Sequence, residues 1–222
     1  MPESRANGDE ILPDGFVLSR EAALTADPCT IVPWLLATGE GFFARYFGSL
    51  EVAKAQLTQR LANPDSEHSA HRCRLLLHQD HGPVGGYFIS RGADLMQARQ
   101  ADFMTFMRAI DRSERARLQG FLNQTREFTP PVEAATVFLS AIGLLDGFRH
   151  RGLGRQVLRA FIKEAHELGA VKLQLNVDAD NVKAQQLYAS AGFRTIGLST
   201  VPQLNLSTYT FELALPAGYE QT

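Results

Sequence analysis

The residue types with the most evident chemistry lie in the sequence Arg-His-Arg-Gly-Leu-Gly at positions 149–154. Glycines let the backbone approach a ligand without a Cβ in the way. A helix that begins there directs unpaired N–H groups and the positive end of its dipole outward. This combination is typical of an anion site, most naturally one for phosphate. Alone, the stretch also fits a tight strand-to-helix turn without a ligand, so the neighbouring segments decide between the two.

The segments around this turn predict a strand, a helix and a second strand. Residues 135–145 form an apolar run, which predicts a strand buried on both faces. Residues 154–168 carry apolar side chains at helical spacing, and Gly169 marks the end of that helix. Residues 171–177 alternate apolar and polar side chains, as strands do. The turn therefore lies where the first strand of a βαβ unit enters its helix.

Two further motifs follow in the same unit. Asn181 and Tyr188 begin and end the pattern N-x-x-A-x-x-L-Y after the second strand, and Ala191-Gly192-Phe193 follows at the end of a short helix. Together with the R-x-x-G-x-G pattern of residues 149–154, this order and spacing resemble the GNAT superfamily of acetyl-CoA-dependent N-acetyltransferases. The resemblance is specific over about residues 137–196.

The resemblance implies where acetyl-CoA, as co-substrate, would bind. The strands at 135–145 and 171–177 would splay apart to admit it. Asn181 would bond to the pantetheine chain, and Tyr188 would face the thioester sulfur. The implied cofactor-binding residues are Ile142, Gly143 and Leu144 along the pantetheine arm, Arg149, His150, Arg151, Gly152, Leu153 and Gly154 around the pyrophosphate, and Asn181 and Tyr188.

Chemical reasoning adds catalytic roles. An amine that attacks a thioester creates a negatively charged oxygen, which the Leu144 N–H is expected to stabilise. The attack also expels a thiolate, to which Tyr188 is expected to donate a hydrogen bond. Many family members place a glutamate on the central strand, but here residues 137–140 are Val, Phe, Leu and Ser. Glu133, just before the strand, is therefore the predicted general base, and Ser140 is expected to order a water.

Some of these residues also fit structural roles. The position of Tyr188 is also compatible with a tyrosine of the hydrophobic core whose hydroxyl donates a hydrogen bond to a backbone carbonyl. Asn181 fits a helix N-cap, which does not exclude ligand contact. The aromatic group between Trp34 and Phe47 recurs near helical spacing, which favours core packing over a substrate cage.

The whole chain predicts the order strand, two helices, hairpin, helical insertion, strand, helix, strand, helix, strand, strand. This order indicates an α/β fold with a mixed central sheet, and the resemblance makes it a GNAT-like acyl-CoA N-acyltransferase fold. The helical insertion, at about residues 94–128, precedes the central strand. Together with residues 34–47, it is expected to line the side of the site where the acceptor amine binds. Residues 1–11 are predicted to be a flexible tail, and residues 12–222 a single N-acetyltransferase domain.

The composition excludes several classes of protein. The chain has 222 residues, 45% of them apolar, and a formal net charge of −2. This charge argues against a nucleic-acid or membrane partner, and no apolar run approaches the roughly 18–20 residues that span a bilayer. The two cysteines follow no metal or redox spacing, which predicts a cytoplasmic protein with reduced thiols. The His68/His71 and His78/His81 pairs lie across a loop, a strand and a turn, so no metal is predicted.

The sequence therefore predicts an N-acetyltransferase that moves an acetyl group from acetyl-CoA to a primary amine by direct attack on the thioester. The amine would belong to a small molecule or a peptide, and the enzyme would be a monomer or a homodimer. The alternative is a non-catalytic acyl-CoA-binding sensor or interaction module with the same fold. The weak evidence for a base favours that alternative, and Tyr188 opposes it. A different nucleotide-phosphate site is less supported, because the chain lacks G-x-x-x-x-G-K-[ST].

Overall fold

The computed structural model describes residues 9–126 and 131–215, which are built around one eight-stranded sheet. The strands are β1 Glu10–Leu12, β2 Phe16–Ser19, β3 Cys73–His78, β4 Gly82–Arg91, β5 Thr136–Leu144, β6 Lys172–Asp178, β7 Arg194–Val201 and β8 Leu206–Ala214. Their order across the sheet is β1-β2-β3-β4-β5-β6-β8-β7. Neighbours are antiparallel except for β5 and β6, which are parallel.

Eight α-helices occur in the described residues and cover both faces of the sheet. They are α1 Arg20–Thr25, α2 Pro28–Leu36, α3 Glu40–Phe47, α4 Leu50–Ala62, α5 Gly92–Ala109, α6 Arg112–Gln124, α7 Leu153–Glu167 and α8 Val182–Ser190. The buried side chains of α7 join one hydrophobic core, together with Tyr188 of α8. Those of α1 to α6 join a second core on the opposite face. The two-face burial explains why β5 is almost continuously apolar.

Side-chain caps fix where several helices begin. Ser19, Asp27, Ser49, Asp111 and Asn181 each accept a hydrogen bond from a backbone N–H in the first turn of the following helix. Such caps typically contribute about 1 kcal/mol each. The local sequence therefore determines the start of α8, the helix that carries Tyr188.

The parallel strands β5 and β6 separate halfway along their length. They pair from Thr136 with Lys172 to Leu139 with Leu175, and β5 has no β6 partner beyond that point. Ser140 is the extra residue of a bulge, because Leu139 pairs with Ile89 and Ala141 pairs with Phe88 of β4. A bulge bends its strand and increases the local twist. The bulge therefore marks the point at which the gap begins.

The structure differs from the sequence-based expectation at three places. Four helices, α1 to α4, lie between β2 and β3, where the sequence predicts two. Glu10 and Ile11, predicted to be part of the tail, lie in β1, which pairs with β2 across a turn at Asp14 and Gly15. A three-residue strand is too short to show alternation in the sequence. In α5, the spacing of Met96, Phe103, Met107 and Ile110 predicts that they share one buried helical face, but Met96 is 63% exposed. The buried stripe is instead Leu95, Ala98, Asp102 and Phe106.

The predicted α/β class with a mixed central sheet is confirmed, and the helical insertion corresponds to α5 and α6. Residues 1–8 of the predicted tail, residues 127 and 128 of the insertion, and residues 216–222 lie outside the described residues. Among the helices of residues 9–126 and 131–215, none has both the length and the apolar character required to cross a membrane.

Candidate active site

A cavity of about 960 Å³ lies where β5 and β6 separate. One end is lined by the turn before α7 and by α8, and the other end by α3, α5 and α6. This volume is at the upper end of the roughly 300–1,000 Å³ typical of single-ligand sites. The cavity is therefore large enough for an extended ligand, and Ser140 of the bulge lies in its lining.

The turn at residues 149–154, called the phosphate turn below, has the geometry of an anion site. In the described structure, the N–H groups of residues 150–154 have no backbone acceptor, and α7 begins without a side-chain cap. His150 and Gly152 have φ angles of 64° and 79°. Positive φ at alternate residues curls successive N–H groups toward one centre, which forms an anion-binding nest. The turn therefore presents unsatisfied donors at the positive end of a fifteen-residue helix.

Arg149 has a different part in this turn from the one predicted. Its backbone N–H donates to the Asp146 carbonyl at 3.2 Å and is not available to a ligand. Its side-chain Nε donates to the Leu144 carbonyl at 3.0 Å, and a guanidinium nitrogen lies 2.9 Å from the Asp146 carboxylate. The cradle of N–H groups therefore begins at His150, because Arg149 closes the turn onto β5.

The exposed edge of β5 faces the gap. The Leu145 N–H donates to the Val84 carbonyl of β4 at 2.8 Å. Because alternate residues of a strand point their backbone groups to opposite sides, the N–H groups of Leu144 and Ile142 point away from β4 and toward the gap. Unpaired strand groups of this kind bind an extended chain as a further strand would.

The helix α8 brings two predicted residues to the same gap. Asn181 caps α8 by accepting a hydrogen bond from the Ala184 N–H through Oδ1, which leaves its NH₂ group for other partners. Tyr188 is 5% exposed and lines the cavity, and its ring packs near Phe193 and Phe211. Burial raises the pKa of the Tyr188 phenol. This residue is therefore a core tyrosine and a protonated cavity-lining group at once.

Most of the predicted site residues come together, and a few do not. Those that line the cavity are Ile142, Gly143, Leu144, Arg149, His150, Gly154, Asn181 and Tyr188. Arg151 and Gly152 lie in the phosphate turn without lining the cavity. Leu153 begins α7 with its side chain buried in the core, so only its N–H is available to a ligand.

The structure does not bring Glu133 to the cavity. Its carboxylate is 72% exposed and lies 3.3 Å from Nζ of Lys172, at the paired end of β5 and β6. The gap opens at the opposite end of the strands. Glu133 is therefore a surface ion-pair residue, and its prediction as general base has no geometric support.

A different carboxylate lines the cavity, namely Glu67 in the loop before β3. Its two carboxylate oxygens accept hydrogen bonds from Nε and a terminal nitrogen of Arg99, both at 3.0 Å. Burial acts to raise the pKa of Glu67, but the charges of Arg99 and of protonated His68, together with the hydrogen bonds from Arg99, outweigh it and lower the pKa to about 2. The Ser140 hydroxyl at the bulge acts in the same direction. Glu67 is thus a permanently charged group held beside the start of the gap.

His68 and Asp102 also line the cavity and are buried. Burial lowers the pKa of His68 to about 4, with Arg60 and Arg99 acting in the same direction and Glu67 opposing them. Burial raises the pKa of Asp102, whose Oδ2 accepts from the Ser66 hydroxyl at 3.0 Å and the Glu67 N–H at 3.2 Å. Within the described residues, His68 Nδ1 and Asp102 Oδ1 have no hydrogen-bond partner. His68 is therefore neutral at pH 7 and has one nitrogen without a partner.

The depressed pKa of His68 predicts acid sensitivity of folding. Between an unfolded value of 6.5 and a folded value of about 4, the unfolded chain binds a proton that the folded chain does not. Stability therefore falls as the pH falls through this window, by about 3 kcal/mol in total from this residue. Chemical denaturation at a series of pH values measures the slope. We expect His68→Gln to remove most of the slope between pH 6.5 and 4.

His71→Gln is the matched control for this prediction, because it makes the same substitution at an exposed histidine three residues away. The wild-type slope should persist in that variant. If His68→Gln kept the full slope as well, the burial of a neutral imidazole at this position would be contradicted. Glu67 adds a separate loss below pH 4.5, because its folded pKa is lowered and its stabilisation disappears on protonation.

Sequence reasoning missed this charged cluster because the segment 65–70 reads as an ordinary polar loop. In the structure Ser66, Glu67, His68 and Ser69 are all buried. One signal was present: Asp102 occupies the position of an apolar residue in the buried stripe of α5. A charge at such a position points to a buried partner, since unpaired charges are rarely buried. In residues 9–126 and 131–215, no group of three or more His, Cys, Asp or Glu could hold a metal ion.

Comparisons with known proteins agree with this geometry. The model of the acetyltransferase (GNAT) family matches residues 102–193. An uncharacterized N-acetyltransferase of Mycobacterium tuberculosis is 30% identical over 110 residues, which cover 49% of this chain and 67% of that protein. An uncharacterized N-acetyltransferase of Bacillus subtilis is 36% identical over 67 residues, but the match spans only 43% of its length and 30% of this chain. The chain belongs to the GNAT acetyltransferase family.

The fold agrees as well. A crystal structure of a GNAT family acetyltransferase from Elizabethkingia anophelis with acetyl-CoA bound superposes with a TM-score of 0.52 at 15% identity. The superposition covers 91% of this chain and 99% of that one. At this identity the likeness establishes the fold alone. Acetyl-CoA-dependent N-acetylation is the general reaction of the family.

Proposed function

We propose that this chain, as a single domain over residues 12–222, transfers an acetyl group from acetyl-CoA to a primary amine by direct attack on the thioester. The observation that carries the proposal is one continuous cavity. It joins the phosphate turn, the open edge of β5, Tyr188 and a separate aromatic end lined by α3, α5 and α6. Each end has the chemistry suited to one of the two reactants.

The phosphate turn is assigned to the pyrophosphate of the co-substrate. Its N–H groups from His150 to Gly154 are unsatisfied in the described structure, and the dipole of α7 adds positive potential. The NH₂ group of Asn181 and the gap-facing backbone of Ile142 and Leu144 are assigned to the pantetheine arm. Acetyl-CoA supplies the thioester, and these groups of the protein position it.

Two groups assist the reaction at the thioester carbon. As the amine nitrogen bonds to this carbon, the Leu144 N–H stabilises the negative charge on the carbonyl oxygen. When the carbon–sulfur bond breaks, Tyr188 donates a hydrogen bond to the departing thiolate. Full proton transfer from Tyr188 is unfavourable because burial raises the pKa of its phenol. Tyr188 therefore acts mainly as a hydrogen-bond donor.

The attacking amine also has to lose a proton to an acceptor in the cavity. Glu67 is committed to Arg99, and its pKa of about 2 makes it a poor base. His68 is neutral over the working range of pH, and Nδ1 has no partner within the described part of the chain. We assign proton acceptance to His68. Its low basicity suffices for an amine that arrives partly deprotonated.

Thiol release from acetyl-CoA in the presence of a panel of amines tests this function. We expect amine-dependent release of CoA and mass-spectrometric detection of the N-acetylated product. A non-catalytic acyl-CoA-binding module would bind acetyl-CoA with no amine-dependent release. Trp34, the single tryptophan of the chain, lines the cavity and offers a fluorescence signal for binding independent of turnover.

A further inference from the structure

The end of the cavity away from the phosphate turn has an aromatic wall. We call it the acceptor chamber and define it by Phe42, Tyr46, Phe103, Phe121, His68 and Asp102, all of which line the cavity. The rings of Phe42 and Tyr46 are nearly parallel, with centroids 6.0 Å apart, and Phe121 meets Phe42 edge-on at 5.7 Å. Phe42, Tyr46 and Phe103 remain only half-buried. The chamber thus presents flat apolar surfaces.

Two acidic and two basic groups of the chamber wall pair with one another, and Arg126 adds one positive charge to the lining. Glu67 is paired with Arg99, and Asp102 lies 3.6 Å from Arg60, while His68 is neutral. A wall whose excess charge is positive does not attract a polycation such as a polyamine. The chamber therefore selects for the shape and apolar area of its ligand rather than for several charges.

Unsatisfied polar atoms on this wall point to a ligand. Trp34, His68 and Asp102 line the cavity, and each has one buried polar atom (Nε1, Nδ1 and Oδ1) without a hydrogen-bond partner among residues 9–126 and 131–215. Leaving such a group unpaired costs about 1–3 kcal/mol, so folded proteins rarely bury one without a reason. Binding of a substrate would be such a reason, and the apolar rings around these atoms suit a substrate with one polar group on an otherwise apolar body.

We propose that the acceptor is a small primary amine with an aromatic body, of the arylalkylamine type, bound in the acceptor chamber. The ring packs against Phe42, Tyr46 and Phe103, and the amine projects past His68 toward the bulge at Ser140. This inference rests on the proposed acetyl transfer. It extends that proposal, because the phosphate turn and Tyr188 select the acyl donor but not the acceptor.

The experiment compares compounds that share a primary amine and differ in the rest of the molecule. With acetyl-CoA, we expect kcat/KM for 2-phenylethylamine to exceed that for propylamine by about 10- to 100-fold, the range that burial of one aromatic group gives. Spermidine and an alanine-initiated tetrapeptide are expected to be poorer than 2-phenylethylamine. Equal rates for 2-phenylethylamine and propylamine, or a preference for spermidine or the peptide, would overturn the proposal.

A variant of the acceptor chamber tests whether the preference for 2-phenylethylamine over propylamine arises there. We expect Phe42→Ala to reduce the ratio of kcat/KM for 2-phenylethylamine to kcat/KM for propylamine at least fivefold, because only the aromatic amine loses contact with this ring. Leu198→Ala is the matched control, because Leu198 is an exposed apolar residue of β7 that does not line the cavity. An unchanged ratio in Phe42→Ala, or equal losses for both amines, would contradict binding of the ring in the chamber.

Binding measurements separate this inference from the proposed function. If amines are turned over without an aryl preference, the chamber assignment fails and the acetyl transfer stands. If no amine is turned over, Trp34 fluorescence of the CoA-saturated protein is titrated with 2-phenylethylamine and with propylamine. Tighter binding of 2-phenylethylamine, weakened by Phe42→Ala, supports the chamber even though transfer has failed. Equal or undetectable binding of both amines overturns it.

Discussion

Replacement of Tyr188 by phenylalanine is expected to lower kcat by about 10²–10³-fold, the usual cost of removing one preorganised hydrogen-bond donor from a group that becomes negatively charged. Tyr188 lines the cavity, and burial, with no hydrogen bond from the described residues, accounts for the raised pKa of its hydroxyl. The ring, which packs near Phe193 and Phe211, is retained. Affinity for acetyl-CoA should therefore change little while the rate falls. Steady-state kinetics combined with a Trp34 fluorescence titration measures both.

Tyr209→Phe provides the control, because it makes the same change at a tyrosine of β8 that does not line the cavity. A rate loss below threefold in Tyr188→Phe would remove this hydroxyl from the mechanism. The pH profile adds a second check. Because burial raises the pKa of Tyr188, the phenol stays protonated through the neutral range, and its ionisation should cause no fall in rate below pH 10.

Gly154→Asp is expected to weaken acetyl-CoA binding at least about 100-fold. A Cβ at Gly154 would lie 3.6 Å from Leu187, an ordinary contact, so the side chain has room. A carboxylate in the first turn of α7 also interacts favourably with the helix dipole, which supports folding. The same carboxylate would repel a pyrophosphate bound at the phosphate turn, by several kcal/mol at about 4 Å and intermediate dielectric. Calorimetric titration with acetyl-CoA measures the loss.

Two controls test whether the loss of acetyl-CoA affinity in Gly154→Asp comes from repulsion of the pyrophosphate. S-acetylpantetheine has no pyrophosphate, so its weaker binding should be nearly the same in wild type and variant. Gly197→Asp adds the same charge in β7, at a glycine with open space around it and outside the cavity lining. If Gly154→Asp bound acetyl-CoA as tightly as wild type, the assignment of the phosphate turn to the pyrophosphate would be wrong.

The sequence predicted the half of the site that is built from local structure. The phosphate turn, Asn181 and Tyr188 lie within one βαβα unit, where chain order and spacing largely determine which groups face the gap. The N-cap role of Asn181 follows directly from its place before α8. Even here, the use of the Arg149 N–H inside the turn depends on local geometry that the motif does not specify.

The other half of the site depends on contacts between residues distant in the chain. Glu133 is close to the central strand in sequence, yet it lies at the end of β5 away from the gap. Glu67 reaches the cavity only because the loop before β3 is buried against α5, where Arg99 is 32 residues away. No periodicity in either segment encodes that packing, so the sequence indicated the donor end of the cavity but not the charged cluster at the acceptor end.

A crystal structure with acetyl-CoA bound tests the central claim most directly. The predicted result places pyrophosphate oxygens about 2.7–3.2 Å from backbone nitrogens of residues 150–154, which is hydrogen-bond distance. It also places the pantetheine arm between β5 and β6, with the sulfur in hydrogen-bond reach of the Tyr188 hydroxyl and the acetyl group directed toward the acceptor chamber. Binding of the pyrophosphate away from the phosphate turn, or of the thioester beyond the reach of Tyr188, would contradict the proposed acetyl transfer at this site.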